Sequence, residues 1–273
     1  MLEPFCNCLA MTGIEEKFMR YAKNSLVVSP ERDVPLLRQV RNSKFVTHQQ
    51  LFEFMKLCGC DHNRDAFNWR VRRLKTFGHI TDCPAIHGLG SAVYQITKAG
   101  LCLLEHCGHS SVVLNSNTAH LSHLSNVYHA LGMNAVQLAL MRVNLLASWQ
   151  SEIEIASFNT ISTSPLQKDY DAIVEVWVGE KTQKFALEYE RTLKSAKRYE
   201  QIRAALESER EIKCILYLTS GLELISPLVR ELGYIKKRVA FATLRDFENN
   251  LLDTHMFTSR STMLKFGDFL KGQ

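Results

Sequence analysis

The sequence predicts a mixed chain in two parts, an α+β part over residues 33–108 and an α/β part over 118–273, preceded by an irregular segment, 1–32. Three observations predict it. Apolar residues recur at helical spacing, broken by cap and stop residues, as far as Gly78. Alternating extended stretches then flank a turn-rich tip, Pro84 to Gly90. Beyond a Ser/Asn-rich link from Gly108 to Thr118, a hairpin around Gly179 is followed by a helical stretch and a buried apolar strand. With 273 residues, 46% hydrophobic and 22% charged, the chain has the composition of an ordinary globular protein of one or two domains.

In the first part, Leu36, Leu37 and Val40 form a helical stripe. Thr47 and Gln50 make a capping box ahead of Leu51, Phe52, Phe54 and Met55. Gly59 ends that helix and Asn63 caps a third, in which Phe67, Val71 and Leu74 face inward until Gly78 stops it. Ile80 opens one extended piece, Ala92 to Ile96 returns, and Thr97 caps a helix through Leu104. Helix, helix, helix, hairpin, helix is the order of a winged helix-turn-helix.

The second part reads as a long helix from Leu121 to Leu145 and a strand from Trp149 to Ala156. Strands 171–178 and 184–190, a helix from Thr192 to Glu207 and a strand from Ile212 to Thr219 follow. A helix from Gly221 to Leu232, a strand from Val239 to Ala242 and a helix from Leu244 close it.

Several function classes have no support. No run approaches the ~18–20 apolar residues of a membrane helix, and Met1 to Thr12 shows no basic region ahead of its apolar stretch, so neither a membrane nor export is expected. Eight unevenly spaced cysteines fit a reducing compartment, and cytoplasm is the expectation. The Cys58–Cys60–His62 cluster, with His79, Cys83, His87, His106, Cys107 and His109, has no zinc-module spacing. His120, His123 and His129 read as surface residues. Gly88 and Gly90 sit in the hairpin tip, outside any strand-to-helix phosphate loop.

The net charge is +5, and its distribution matters more than its size. Between Asn63 and Lys75 stand Arg64, Arg70, Arg72, Arg73 and Lys75 against the single acid Asp65. At 100° per residue, Asn68, Arg72 and Arg73 face away from the apolar stripe, with Arg64 and Lys75 at its flanks. A major groove admits such a helix: arginine pairs with guanine, asparagine with adenine, and flanking cations with phosphates. Double-stranded DNA is therefore the expected partner. The alternative is a solvated basic helix in a protein-interaction module. Trp69, also outward, can pack against the wing or a second subunit, which leaves a homodimer open; the alternative is stacking on a base.

Strand alternation puts Ala186, Glu188 and Glu190 on one face of the strand 184–190, and Asp171 opens its hairpin partner. Carboxylates so gathered suit Mg²⁺, which activates water and offsets charge on phosphate. The plain alternative is that Glu188 and Glu190 pair with Arg191, Lys194 or Arg198 on a solvated face.

The stretches Tyr-Asp-Ala-Ile-Val-Glu-Val from Tyr170 and Phe-Ala-Leu-Glu-Tyr-Glu-Arg-Thr-Leu-Lys-Ser from Phe185 resemble the PD-(D/E)xK nuclease superfamily. Within it they resemble the replication-relaxation proteins of plasmids and mobile elements. The phrase Tyr-Gln-Ile-Thr-Lys-Ala-Gly-Leu, Tyr94 to Leu101, resembles the end of the winged helix in those proteins, so the likeness extends over residues 34–220. It implies a restriction-endonuclease-like αβββαβ domain joined to a DNA-binding winged helix, acting in replication or transcription of a mobile element. Asp171 and Glu188 would then be metal ligands.

Two positions depart from the motif: Tyr170 precedes the aspartate where proline is usual, and Glu190 stands where the motif has lysine. A carboxylate cannot steady a phosphate's developing charge, so the expectation is a retained fold without hydrolysis and without a metal. The alternative is a Mg²⁺-dependent endonuclease or nicking enzyme that uses Asp171, Glu188 and Glu190 with a lysine lent by Lys194 or Lys197.

Overall fold

The structure, a computed structural model, describes residues 27–83, 90–112, 120–258 and 262–272, with the backbone alone at 120–123. Outside the described residues lie nearly all of the irregular segment 1–32, the hairpin tip with His87, most of the Ser/Asn-rich link, and the side chains of His120 and His123.

The first part comprises α1 (Asp33–Ser43), β1 (Val46–Thr47), α2 (His48–Leu57), α3 (Arg64–Thr76), β2 (Ile80–Asp82), β3 (Val93–Ile96) and α4 (Lys98–His106). The strands form an antiparallel sheet in the order β1-β3-β2. Local chemistry accounts for the boundaries. Thr47 and Gln50 exchange the two bonds of a capping box, Asn63 Oδ1 accepts from the amides of Asp65 (2.8 Å) and Ala66 (3.2 Å), and Thr97 Oγ1 accepts from Gly100 (3.1 Å). Past the end of α3, Gly78 takes the left-handed conformation at φ 71°. Leu36, Leu37, Leu51, Phe54, Phe67 and Leu74 are fully buried between the helices and the inner face of β3.

The second part is built on a seven-stranded mixed sheet, in the order β10-β9-β8-β7-β6-β5-β4. It contains β4 (Leu146–Ser151), α6 (Glu152–Ile161), β5 (Ala172–Val178), β6 (Lys181–Glu190), α7 (Ala196–Ser208), β7 (Cys214–Thr219), α8 (Ile225–Leu232), β8 (Arg238–Thr243), α9 (Leu244–Asn250), β9 (His255–Thr258), β10 (Met263–Lys265) and α10 (Phe266–Lys271). β4, β5 and β6 form an antiparallel meander, β7 and β8 continue parallel to β6, and β9 and β10 return antiparallel. One face packs on Met133, Val136, Phe247 and Phe266; the other packs on Ile155, Tyr199, Ile202, Leu228 and Leu232.

Helix α5 (His120–Arg142) lies between the two parts and belongs to both cores. Its Leu138 enters the first core, Val127 and Leu131 cover Phe45 and Val93, and Met133, Val136 and Leu140 enter the sheet core. Polar bonds fix the same docking: Gln50 Nε2 donates to the Leu131 carbonyl (2.9 Å) and Asn134 Nδ2 to the Phe45 carbonyl (2.8 Å). Among the described residues, no helix is long and apolar enough to cross a membrane.

Three expected elements differ. The strand read from Trp149 to Ala156 ends at Ser151, because Ser151 and Glu154 form a capping box that starts α6. The helix read from Thr192 begins at Ala196, where Ser195 Oγ accepts from the Arg198 amide (3.3 Å). The helix read from Gly221 opens as a 3-10 turn over Leu222–Leu224 before α8.

Candidate carboxylate site and nucleic-acid interface

The cations of α3 divide into two sets. Arg64 and Arg72 are exposed; Arg64 Nη1 donates to Gln49 Oε1 (3.2 Å) with its guanidinium over the Phe52 ring. No ion pair holds Arg72 among the described residues. Lys75 pairs with Asp82 on β2 (2.5 Å), and Asn68 is half-buried, its Oδ1 2.9 Å from His48 Nε2. Arg73 corrects the sequence expectation. Its guanidinium turns inward to pair with Asp33, which is wholly buried, and lies over the Trp69 ring.

Arg70, which added to the apparent charge of the helix, is buried as well, between Asp33 (3.1 Å) and Asp61 (2.9 Å). Two buried acids next to a helix call for cations of their own, and that requirement takes two of the five. Helical geometry alone places Arg73 outward; the long side chain folds back.

In the second part, Ala172 faces Leu187 in the antiparallel pair of β5 and β6, and the same register sets Asp171 opposite Glu188. Glu188 and Glu190 share the face of β6 that carries Ala186, as alternation requires, but that face is covered: they are 3% and 4% exposed. The solvated face of the plain alternative is therefore overturned, while the pairing of Glu190 with Lys194 that it named is present.

Each buried acid has a cation. Lys168, in the connector from α6 to β5, forms an ion pair with Glu188 Oε1, and Lys194 pairs with Glu190 Oε1. Lys194 thus reaches back from the segment before α7, as the sequence allowed, and goes to Glu190; Lys197 stays exposed. Asp171 Oδ2 accepts from the Tyr189 amide (2.8 Å) and lies 3.0 Å from His129 Nε2 on α5. His129, expected at the surface, is half-buried, and burial lowers its pKa.

Burial pushes the Asp171 carboxyl up to about 6, with Lys168 opposing, and the Glu188 carboxyl up to about 7, where Lys168 opposes and Asp171 reinforces. Burial works against the Lys168 ammonium, but the charges of Glu188, Asp171 and Glu190 outweigh it and raise its pKa. Two phenol hydroxyls beside the acids, Tyr170 and Tyr217, are buried with no hydrogen-bond partner among the described residues. Tyr217 is the register neighbour of Glu188 on β7.

Asp171 Oδ1 and Glu188 Oε2 accept no hydrogen bond among the described residues. As hard oxygen donors, one just before β5 and one on β6, they suit Mg²⁺, which takes one or two carboxylates and completes its shell with water or phosphate. Among the described residues, no group of three or more His, Cys, Asp and Glu side chains is placed to hold a metal. A cleft of about 810 Å³ runs between the two parts, lined by Lys44, Gln95, Lys98, Asn134 and Glu152 and reaching His129 and Asp171.

Sequence reasoning missed Lys168, twenty residues from the acid that it neutralises. The one local signal was its place in Lys-Asp-Tyr-Asp, beside the motif aspartate. No protein-family model, no curated protein and no solved structure matches this chain.

Proposed function

We propose that this is a DNA-binding protein in which residues 33–108 act as a winged helix and the seven-stranded part is a PD-(D/E)xK-like domain without hydrolytic activity. It resembles in this the replication-relaxation proteins of plasmids and mobile elements. The observation that carries the DNA-binding reading is α3. It follows α2 across a short turn, packs Phe67, Val71 and Leu74 inward, precedes the β2–β3 hairpin, and leaves Arg64 and Arg72 exposed on its outer side. The order α5, β4, β5, β6, α7, β7, with the last strand parallel to β6, supports an αβββαβ domain interrupted by α6. The pairing of Glu190 with Lys194 supports the non-catalytic reading, because that lysine is tied to an acid at the motif's lysine position. Cytoplasm is the proposed compartment, on the uneven cysteine spacing alone.

One observation favours a second reading, a Mg²⁺-dependent deoxyribonuclease: Asp171 opposite Glu188, with the Lys168 ammonium beside them. In it, Asp171 and Glu188 would hold the ion, which would supply charge to offset that of the phosphate. Lys168 opposes the rise that burial imposes on the Glu188 carboxyl, and His129 lies against the Asp171 carboxylate.

The two readings separate in one experiment. Purified protein is titrated into labelled duplex DNA, then incubated with supercoiled plasmid and Mg²⁺ or Mn²⁺. Binding without nicking is expected. Nicking that disappears in Asp171→Asn would establish the second reading, and absence of duplex binding at low salt would sink both.

A further inference from the structure

The carboxylate pair already contains a cation of its own. Lys168 is 16% exposed, its Nζ is bonded to Glu188 Oε1, and Asp171 and Glu190 add to the field that keeps it charged. The connector around it is pinned: Asn159 Oδ1 accepts from the Leu166 amide (2.8 Å), Glu209 Oε2 from the Gln167 amide (3.0 Å), and the Asp169 side chain from Asn159 Nδ2 (2.6 Å). A fixed backbone beneath a flexible four-carbon stem lets the ammonium leave Glu188 without moving the strand.

We propose that Lys168 is a tethered competitor for the divalent-ion seat between Asp171 and Glu188, so that the acids accept a metal only when its ammonium is drawn away. The chemistry is mutual exclusion. A divalent ion on Glu188 brings like charge against the ammonium in a site with little water to screen it. Releasing the ammonium needs an anion nearby, and a nucleic-acid phosphate in the cleft that Asp169 and Asp171 line has the right charge. Empty of nucleic acid, the acids stay neutralised internally; engaged, Lys168 exchanges a carboxylate partner for a phosphate. This inference rests on the metal-binding part of the second reading.

The test is Mn²⁺ binding to the full chain, followed by electron paramagnetic resonance without DNA, so that no activity is needed. Lys168→Met should bind Mn²⁺ about tenfold or more tighter than the parent, and Lys168→Arg, which keeps the charge, should stay within about threefold of it. Lys168→Gln is the second neutral variant, able to donate to Glu188 should Lys168→Met lose its thermal transition; the same tightening is expected. Adding Asp171→Asn to either neutral variant should abolish the gain.

Neutral variants that bind no tighter than the parent, while Asp171→Asn still weakens binding, would overturn the competitor role and leave the metal seat standing. Mn²⁺ binding that ignores Asp171→Asn in every background would overturn the seat itself, and the inference with it.

Discussion

His129 Nε2 on α5 lies 3.0 Å from Asp171 Oδ2, so the helix that carries the first part also holds the acid that opens β5. One turn along α5, Gly132 lies against the Tyr189 ring: a Cβ at that position would come within 2.5 Å of Tyr189 Cε1. Gly132→Ala should therefore lift α5 from β6 and cost about 1–3 kcal/mol, as overpacking does. Urea unfolding checks it; a variant as stable as the parent would mean that the helix and ring part without strain.

DNA binding should respond unequally to the arginines of α3. Arg64→Ala and Arg72→Ala should each weaken duplex affinity and reduce the slope of log K against log salt by about one unit, without altering stability. Anisotropy titrations over a salt series measure both. Parent-like slopes in the double variant would remove α3 as the DNA-facing helix.

Arg70→Ala should instead unfold rather than unbind. It strands Asp61 and leaves Asp33 to Arg73 alone, both acids being buried, and breaking a buried ion pair from one side costs about 3–5 kcal/mol. Arg73→Ala, whose guanidinium is 21% exposed and shares Asp33 with Arg70, should cost less. Equal denaturation midpoints for the two variants would contradict this ranking.

Stability should also depend on pH through the carboxylate pair. Both acids hold their protons more firmly folded than unfolded, Asp171 near 6 against 3.8 and Glu188 near 7 against 4.5. The folded chain then binds more protons than the unfolded chain between about pH 4 and pH 7, so this pair's contribution to stability falls as pH rises through that window. Lys168 acts higher up: its raised pKa contributes stability below its unfolded value, which is lost as pH rises through the folded one. Asp171→Asn should flatten the acidic limb in a series of urea midpoints; an unchanged limb would show that other groups set it.

The sequence made the local boundaries legible where a single side chain decides them, as Thr47, Asn63 and Thr97 do. It failed where two periods coexist. Ile153 and Ile155 alternate as in a strand, and both are buried, yet the Ser151–Glu154 box makes the segment helical. The short elements after α9 left no pattern long enough to read. In the site, alternation correctly paired Glu188 with Glu190 on one face, because a strand's period is local. The partners of buried charges are not local: Asp33 recruits Arg73 from forty residues away, and Glu188 recruits Lys168 across a connector.

Because α5 contributes Leu138 to one core and Val136 to the other, the two parts are not interchangeable modules. A fragment ending before α5 would bare Val93 and Phe45, and one beginning after it would uncover the sheet face around Leu187. Any ancestor or engineer wishing to transplant the basic helix onto another protein would have to carry α5 along, and with it the histidine that holds Asp171.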